Sequence, residues 1–114
     1  MKKVLIIDDE KRTRDLIAKM IETFGFDLTV ISEGETIDTA IQAIQNHQPD
    51  ILFIDIQMPD GTGFDVLKKL ENKSFEVIFI TAHEEFAIQA IKFSALDYLL
   101  KPVDPLELKE AVEK

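Results

Sequence analysis

Five side chains of this sequence share one setting. Asp8 and Asp9 follow the apolar run Val4-Leu5-Ile6-Ile7, and Asp55 follows Ile51-Leu52-Phe53-Ile54. Thr81 follows Val77-Ile78-Phe79-Ile80, and Lys101 follows Tyr98-Leu99-Leu100. Short apolar runs read as buried strands, so each polar group would stand at a strand's carboxyl end. In an open parallel sheet that edge is where ligands bind. Three carboxylates meeting there would repel one another. At ~4 Å and an effective dielectric of about 20, each like-charge pair costs on the order of 4 kcal/mol. Either one carboxyl stays protonated or a cation is bound. A mixed shell of carboxylates, a backbone carbonyl, waters and a phosphate oxygen suits Mg²⁺. Lys101, a point charge, and Thr81, a hydroxyl donor, would stabilise the remaining oxygens of a phosphoryl group. Asp55 stands alone at its strand end and is the natural attacking carboxylate, giving an aspartyl phosphate.

Each residue also has a plainer reading. Asp8 or Asp9 would serve as a helix cap, but a cap needs one aspartate, not two. Asp55 would open the turn at Met58-Pro59-Asp60-Gly61. Thr81 alone reads as an N-cap, Lys101 as a solvated lysine, and Tyr98 as half-buried packing on an edge strand. A calcium loop starting at Asp55 is rejected, because Pro59 stands where a ligand is required. His47 and His83 lack partner ligands at zinc spacing.

The elements that must position these groups alternate along the chain. Strands are expected over Lys3–Asp8, Phe26–Ser32, Asp50–Asp55, Phe75–Thr81 and Ala95–Leu100. Helices are expected over Lys11–Phe24, Glu35–Asn46, Gly63–Asn72, Glu84–Phe93 and from Pro105 onward. Leu16, Ile17, Met20, Ile21 and Phe24 share one helical face, as do Ile37, Ala40, Ile41 and Ile44. Gly25 fits a left-handed cap, and Asp104-Pro105 opens the last helix with an N-cap and a proline at the first turn. The first, third and fourth strands are continuously apolar and so central, whereas the second and fifth are interrupted by polar residues and so lie at the edges. With right-handed crossovers this gives the order 2-1-3-4-5: a flavodoxin-like (βα)5 three-layer sandwich with one parallel five-stranded sheet. Its switch point falls between the first and third strands, where Asp8, Asp9 and Asp55 end.

The 114 residues make one domain. The fractions of 46% apolar and 31% charged residues are those of a globular chain. With 22 acidic and 13 basic residues the net charge is −9, which repels nucleic acid and anionic membrane surfaces. There is no cysteine, so thiol chemistry and disulfides are excluded. The apolar run near the N-terminus is too short for a signal peptide or a membrane span, and a cytoplasmic location is expected.

Taken together, Asp8-Asp9, Asp55 followed by Met58-Pro59 and Gly63, Thr81-Ala82 and Lys101-Pro102 resemble the receiver domain of two-component response regulators over the whole chain. The stretch VIFITAHEEFAIQAIKFSALDYLLKPVDPLEL is more narrowly similar to receivers that precede LytTR-type DNA-binding domains. The resemblance implies that Asp55 accepts phosphate from a sensor histidine kinase. It implies that Asp9 and Asp55 bind Mg²⁺ with the backbone carbonyl of Gln57, assisted by Asp8, and that Lys101 precedes a cis proline. Thr81 and Tyr98 would form the switch pair. Residues 1–114 would be the N-terminal domain of a longer transcription regulator whose separate effector domain contacts DNA. Phe86, Ile88, Ile91 and Phe93 put apolar residues on more than one side of the fourth helix, so some would be exposed. The plain reading is core plus scattered surface residues, and the resemblance implies a docking and homodimer face built by the fourth helix, fifth strand and fifth helix. Gln57 and His83 depart from the more general pattern at the mouth of the site and bear on the lifetime of the phosphorylated form.

Other functions fit less well. A phosphohydrolase with an aspartyl-phosphate intermediate needs a second acid two residues after its nucleophile, where Gln57 stands, and a cap that this length does not hold. In a flavodoxin, Asp8-Asp9-Glu10 would repel the flavin phosphate. A receiver-like domain that only binds partners would not need the Asp, Thr and Lys set. The domain is expected to be no turnover enzyme, since it would act only on its own aspartate.

Overall fold

Alternation within the apolar runs builds two cores at once. Leu5 and Ile7, Leu52 and Ile54, and Val77 and Phe79 point to one face of the sheet. Val4 and Ile6, Ile51 and Phe53, and Ile78 and Ile80 point to the other, as the two-residue period of a strand requires. Each large side chain buried there contributes about 1.5–3 kcal/mol. In this computed structural model, residues 2–34, 36–70, 74–93 and 95–114 are described.

Five strands pair in parallel: β1 (Lys2–Ile7), β2 (Leu28–Gly34), β3 (Ile51–Asp55), β4 (Glu76–Thr81) and β5 (Asp97–Leu100). Their order is 2-1-3-4-5, as expected from the runs. Helices α1 (Lys11–Phe24) and α5 (Pro105–Glu113) cover one face. Helices α2 (Ile37–His47), α3 (Gly63–Lys68) and α4 (Ala87–Lys92) cover the other. A two-residue antiparallel pair, Gln57–Met58 with Gly61–Thr62, closes the loop after β3.

Several boundaries differ from the sequence expectation for local reasons. Helix α2 begins at Ile37 because Thr36 caps it, its hydroxyl accepting from the Thr39 amide at 3.2 Å while the Thr39 side chain reaches back. The expected start at Glu35 and the expected end of the third helix at Asn72 lie outside the described residues. Asp50 is not in β3, because its carboxylate accepts from the Lys3 amide at 2.7 Å and it fixes the chain before the strand. The fourth helix opens with a 3₁₀ turn, Glu84–Phe86, before α4. Gly25 takes the left-handed conformation (φ 68°) that ends α1, and Asp104 caps α5 through the Leu106 amide at 2.9 Å. On α1, Ile17, Met20 and Ile21 are buried, whereas Leu16 is 40% exposed and does not join their face. No helix among the described residues is long and apolar enough to cross a membrane.

Candidate functional site

Three strand ends finish in the same way. The Asp8 carboxylate accepts from the Glu10 amide at 2.8 Å, the Asp55 carboxylate from the Gln57 amide at 3.1 Å, and the Thr81 hydroxyl from the His83 amide at 3.2 Å. Each side chain folds back on the N–H two residues later, which turns the chain out of the sheet and keeps the polar group at its edge. Neither aspartate before α1 is its N-cap; that place is taken by Glu10, whose side chain makes no capping bond. Asp8 and Thr81 are fully buried, Asp55 is 4% exposed, and Asp9 is exposed.

Lys101 draws these ends together. Its backbone amide donates to the Thr81 carbonyl at 2.8 Å, which aligns the end of β5 with that of β4. Its ammonium lies 2.6 Å from Glu10 Oε1, 3.0 Å from Asp8 Oδ2 and 3.1 Å from Asp55 Oδ2. The Asp8 contact is an ion pair without hydrogen-bond alignment, so Asp8 Oδ2 is buried with no hydrogen-bond partner. The Lys101-Pro102 peptide is cis.

The electrostatics follow from that crowding. Burial, then the neighbouring Asp8 charge, pushes the Asp55 carboxyl up to about 6, with Lys101 offsetting part of the rise. Burial also raises Asp8, against the Glu10 amide and Lys101. Burial would lower Lys101, but its contacts with the Glu10 and Asp8 carboxylates, with Asp55 adding, outweigh it and hold the ammonium well above its ordinary value.

A hollow of about 270 Å³ opens over these groups, lined by Asp9, Glu10, Asp55, Gln57, Met58, Pro59, Ala82 and Lys101. A larger hollow of about 560 Å³ lies elsewhere, against Ile44, Leu70 and Phe75, and carries none of this chemistry. Carboxylate oxygens of Asp8, Asp9 and Glu10 lie within 4.8 Å of one another. Asp55 is outside that cluster, with Oδ2 held by Lys101, and faces the same hollow as Asp9 and Gln57. An oxygen-rich set with one buried carboxylate oxygen lacking a hydrogen-bond partner fits a hard divalent cation such as Mg²⁺.

Thr81 and Tyr98 do not line the hollow. The Tyr98 hydroxyl donates to the His83 carbonyl, so the tyrosine is tied to the loop after Thr81. The four apolar residues of the fourth helix divide between its two sides. Phe86 and Phe93 pack around Phe64, with ring centroids 6.3 and 5.1 Å away. Ile88 and Ile91 are 74% and 73% exposed, because only one side of a helix lying on a sheet can be buried.

Two residues of the site escaped the sequence reading. Arg14 is buried, and its Nη1 donates to the Asp8 carbonyl at 2.6 Å, fixing the loop that carries the acidic pair. Its spacing from Ile17 and Ile21 puts it on the buried stripe of α1, a signal that was available. Glu10 pairs with Lys101 across 91 residues of sequence, a contact with no local signature.

Comparison with known proteins agrees with this architecture. The response regulator receiver domain family matches residues 4–113. An uncharacterised response regulatory protein of Vibrio parahaemolyticus is 38% identical over 111 residues, covering 96% of this chain and 46% of its own. The sensory transduction protein LytT of Bacillus subtilis is 34% identical over 116 residues, covering 100% of this chain and 48% of its own. The chain thus spans about half the length of these relatives. The receiver domain of AraT, a response regulator from Geobacillus stearothermophilus, superposes with a TM-score of 0.88 at 38% identity, over 98% of this chain and 90% of that one. The chain belongs to the response regulator receiver domain family.

Proposed function

We propose that this domain is a phosphorylation-controlled switch in which Asp55 accepts a phosphoryl group from a sensor histidine kinase. The observation that carries the reading is the Asp55 carboxylate at the edge of a hollow, with Lys101 Nζ 3.1 Å from one oxygen and the Gln57 amide 3.1 Å from the other. A carboxyl titrating at about 6 is mostly ionised at neutral pH, as a nucleophile must be.

In the proposed step an Asp55 oxygen attacks the phosphorus of a phosphohistidine. The phosphorus–nitrogen bond breaks, and its electron pair stays on the imidazole. Lys101 exchanges one of its carboxylate partners for a phosphoryl oxygen and neutralises the charge carried in. Asp9, Asp55 and the Gln57 carbonyl, with Asp8 assisting, would hold Mg²⁺, which supplies charge neutralisation and alignment of the phosphoryl group. The domain acts only on its own aspartate and is not a turnover enzyme.

Output follows from Thr81 and Tyr98. When the Thr81 hydroxyl turns to donate to the phosphoryl group, it leaves the His83 amide. The loop holding the Tyr98 hydroxyl then shifts, and Tyr98 moves with it. The surface carrying Ile88 and Ile91 changes its affinity for a second copy or for an effector, a population shift between two states. With a charge of −9, contact with DNA is left to a separate effector domain of a cytoplasmic transcription regulator, for which residues 1–114 serve as the N-terminal receiver.

Incubation with Mg²⁺ and acetyl phosphate should give an acid-stable, base-labile phosphoprotein, and Asp55→Asn should give none. Failure of the wild-type protein to label, or full labelling of the variant, would discard the reading.

A further inference from the structure

The shortest of the three Lys101 contacts belongs to a group that the proposed transfer does not use. The Lys101 ammonium is hydrogen-bonded to Glu10 at 2.6 Å and to Asp55 at 3.1 Å, with Asp8 in ion-pair contact at 3.0 Å. A phosphoryl oxygen arriving on Asp55 must enter that shell of carboxylates and displace one of them from the ammonium. The side chains of Asp8 and Asp55 are 0% and 6% exposed, whereas that of Glu10 is 59% exposed. The Glu10 contact is therefore the one that water can replace most cheaply. Glu10 also lines the same hollow as Asp55.

We propose that Glu10 is a positioning residue that holds the Lys101 ammonium toward the mouth of the site and thereby slows phosphorylation of Asp55. The inference rests on Asp55 being the acceptor. Glu10 touches no reacting atom and acts through Lys101. Until the pair opens, the ammonium is shared among three carboxylates and is not free to meet the phosphoryl group. An exposed ion pair of this kind changes an equilibrium by a factor of about 1.5–5, and the rate of transfer should carry that factor.

The test is the initial rate of Asp55 phosphorylation in wild-type and Glu10→Gln protein, with Mg²⁺ and either acetyl phosphate or phosphoramidate, which bears less negative charge. Glu10→Gln should label about 1.5–5 times faster at low salt with both donors, and the ratio should fall toward one at about 1 M salt, where the pair is screened. A merely structural role of Glu10 would not give a salt-dependent ratio. Equal or slower labelling of the variant, a ratio indifferent to salt, or a gain confined to acetyl phosphate would overturn the proposal while leaving the acceptor in place. A wild-type protein that labels with neither donor removes the acceptor reading and this inference with it.

Discussion

Gly63 lies against the backbone of Asp55: a β-carbon on Gly63 would stand 2.5 Å from the Asp55 carbonyl oxygen and 3.2 Å from Ile54 Cγ1. The Gly63 amide also donates to the Ile56 carbonyl at 2.8 Å. The first turn of α3 therefore rests directly on the end of β3, and the acceptor's position is set by the absence of a side chain. Gly63→Ala must move one element off the other. It should cost about 1–3 kcal/mol in denaturant unfolding and slow Asp55 labelling. A variant as stable and as quickly labelled as wild type would contradict this contact.

Asp55 itself is held at a cost. Its carboxyl titrates at about 6 when folded, against 3.8 for a free aspartate, so the folded protein binds the proton more tightly than the unfolded chain. Unfolding free energy attributable to Asp55 is then highest below pH ~4 and falls as pH rises through about 6. Without divalent cation, Asp55→Asn should be more stable than wild type by about 1–3 kcal/mol at pH 7.5. The margin should shrink toward zero near pH 4. Urea titrations of both proteins across that range, in chelator, measure the difference directly, and a margin that grows on acidification would have the wrong sign.

The same crowding makes cation binding stabilising. At about 100 times its dissociation constant, Mg²⁺ should add about 2.7 kcal/mol to the wild-type protein. Asp9→Asn, which removes an exposed carboxylate from the hollow, should lose most of that gain with little change in cation-free stability. Thermal melts with and without Mg²⁺ check this, and an equal shift in the variant would exclude Asp9 from the site.

How far these relationships could be read in advance depends on their range. The three central strands and the sheet order followed from Val4–Ile7, Ile51–Ile54 and Val77–Ile80, because unbroken apolar runs have few other uses. The groups at their ends were legible for the same reason, since Asp8, Asp55 and Thr81 each follow or end such a run, whereas Lys101 follows an edge strand. Helix α2 starts at Ile37 through the reciprocal cap of Thr36 and Thr39, a pairing of two side chains that apolar periodicity alone does not register. Apolar residues on more than one side of the fourth helix were legible, but which pair is buried is settled by the packing of Phe86 and Phe93 about Phe64. The Glu10–Lys101 pair joins residues from opposite ends of the chain, and nothing in the local sequence of either one points to the other.

Ile88 and Ile91 are exposed on α4, the surface proposed to carry output. Ile91→Asp should leave stability within about 0.5 kcal/mol of wild type, as expected of a solvated position. If this face mediates dimerisation, sedimentation should show phosphorylated wild type associating and phosphorylated Ile91→Asp remaining monomeric. Association undiminished in the variant would move the interface elsewhere.

Phosphorylation of Asp55 would form one covalent bond, an acyl phosphate, which borohydride reduction reads directly. An aspartyl phosphate is reduced to homoserine, which peptide mass spectrometry locates. After reaction with acetyl phosphate and Mg²⁺, homoserine is expected at position 55. Homoserine at Asp8, Asp9 or another acidic position with residue 55 unchanged, or none anywhere, would contradict it.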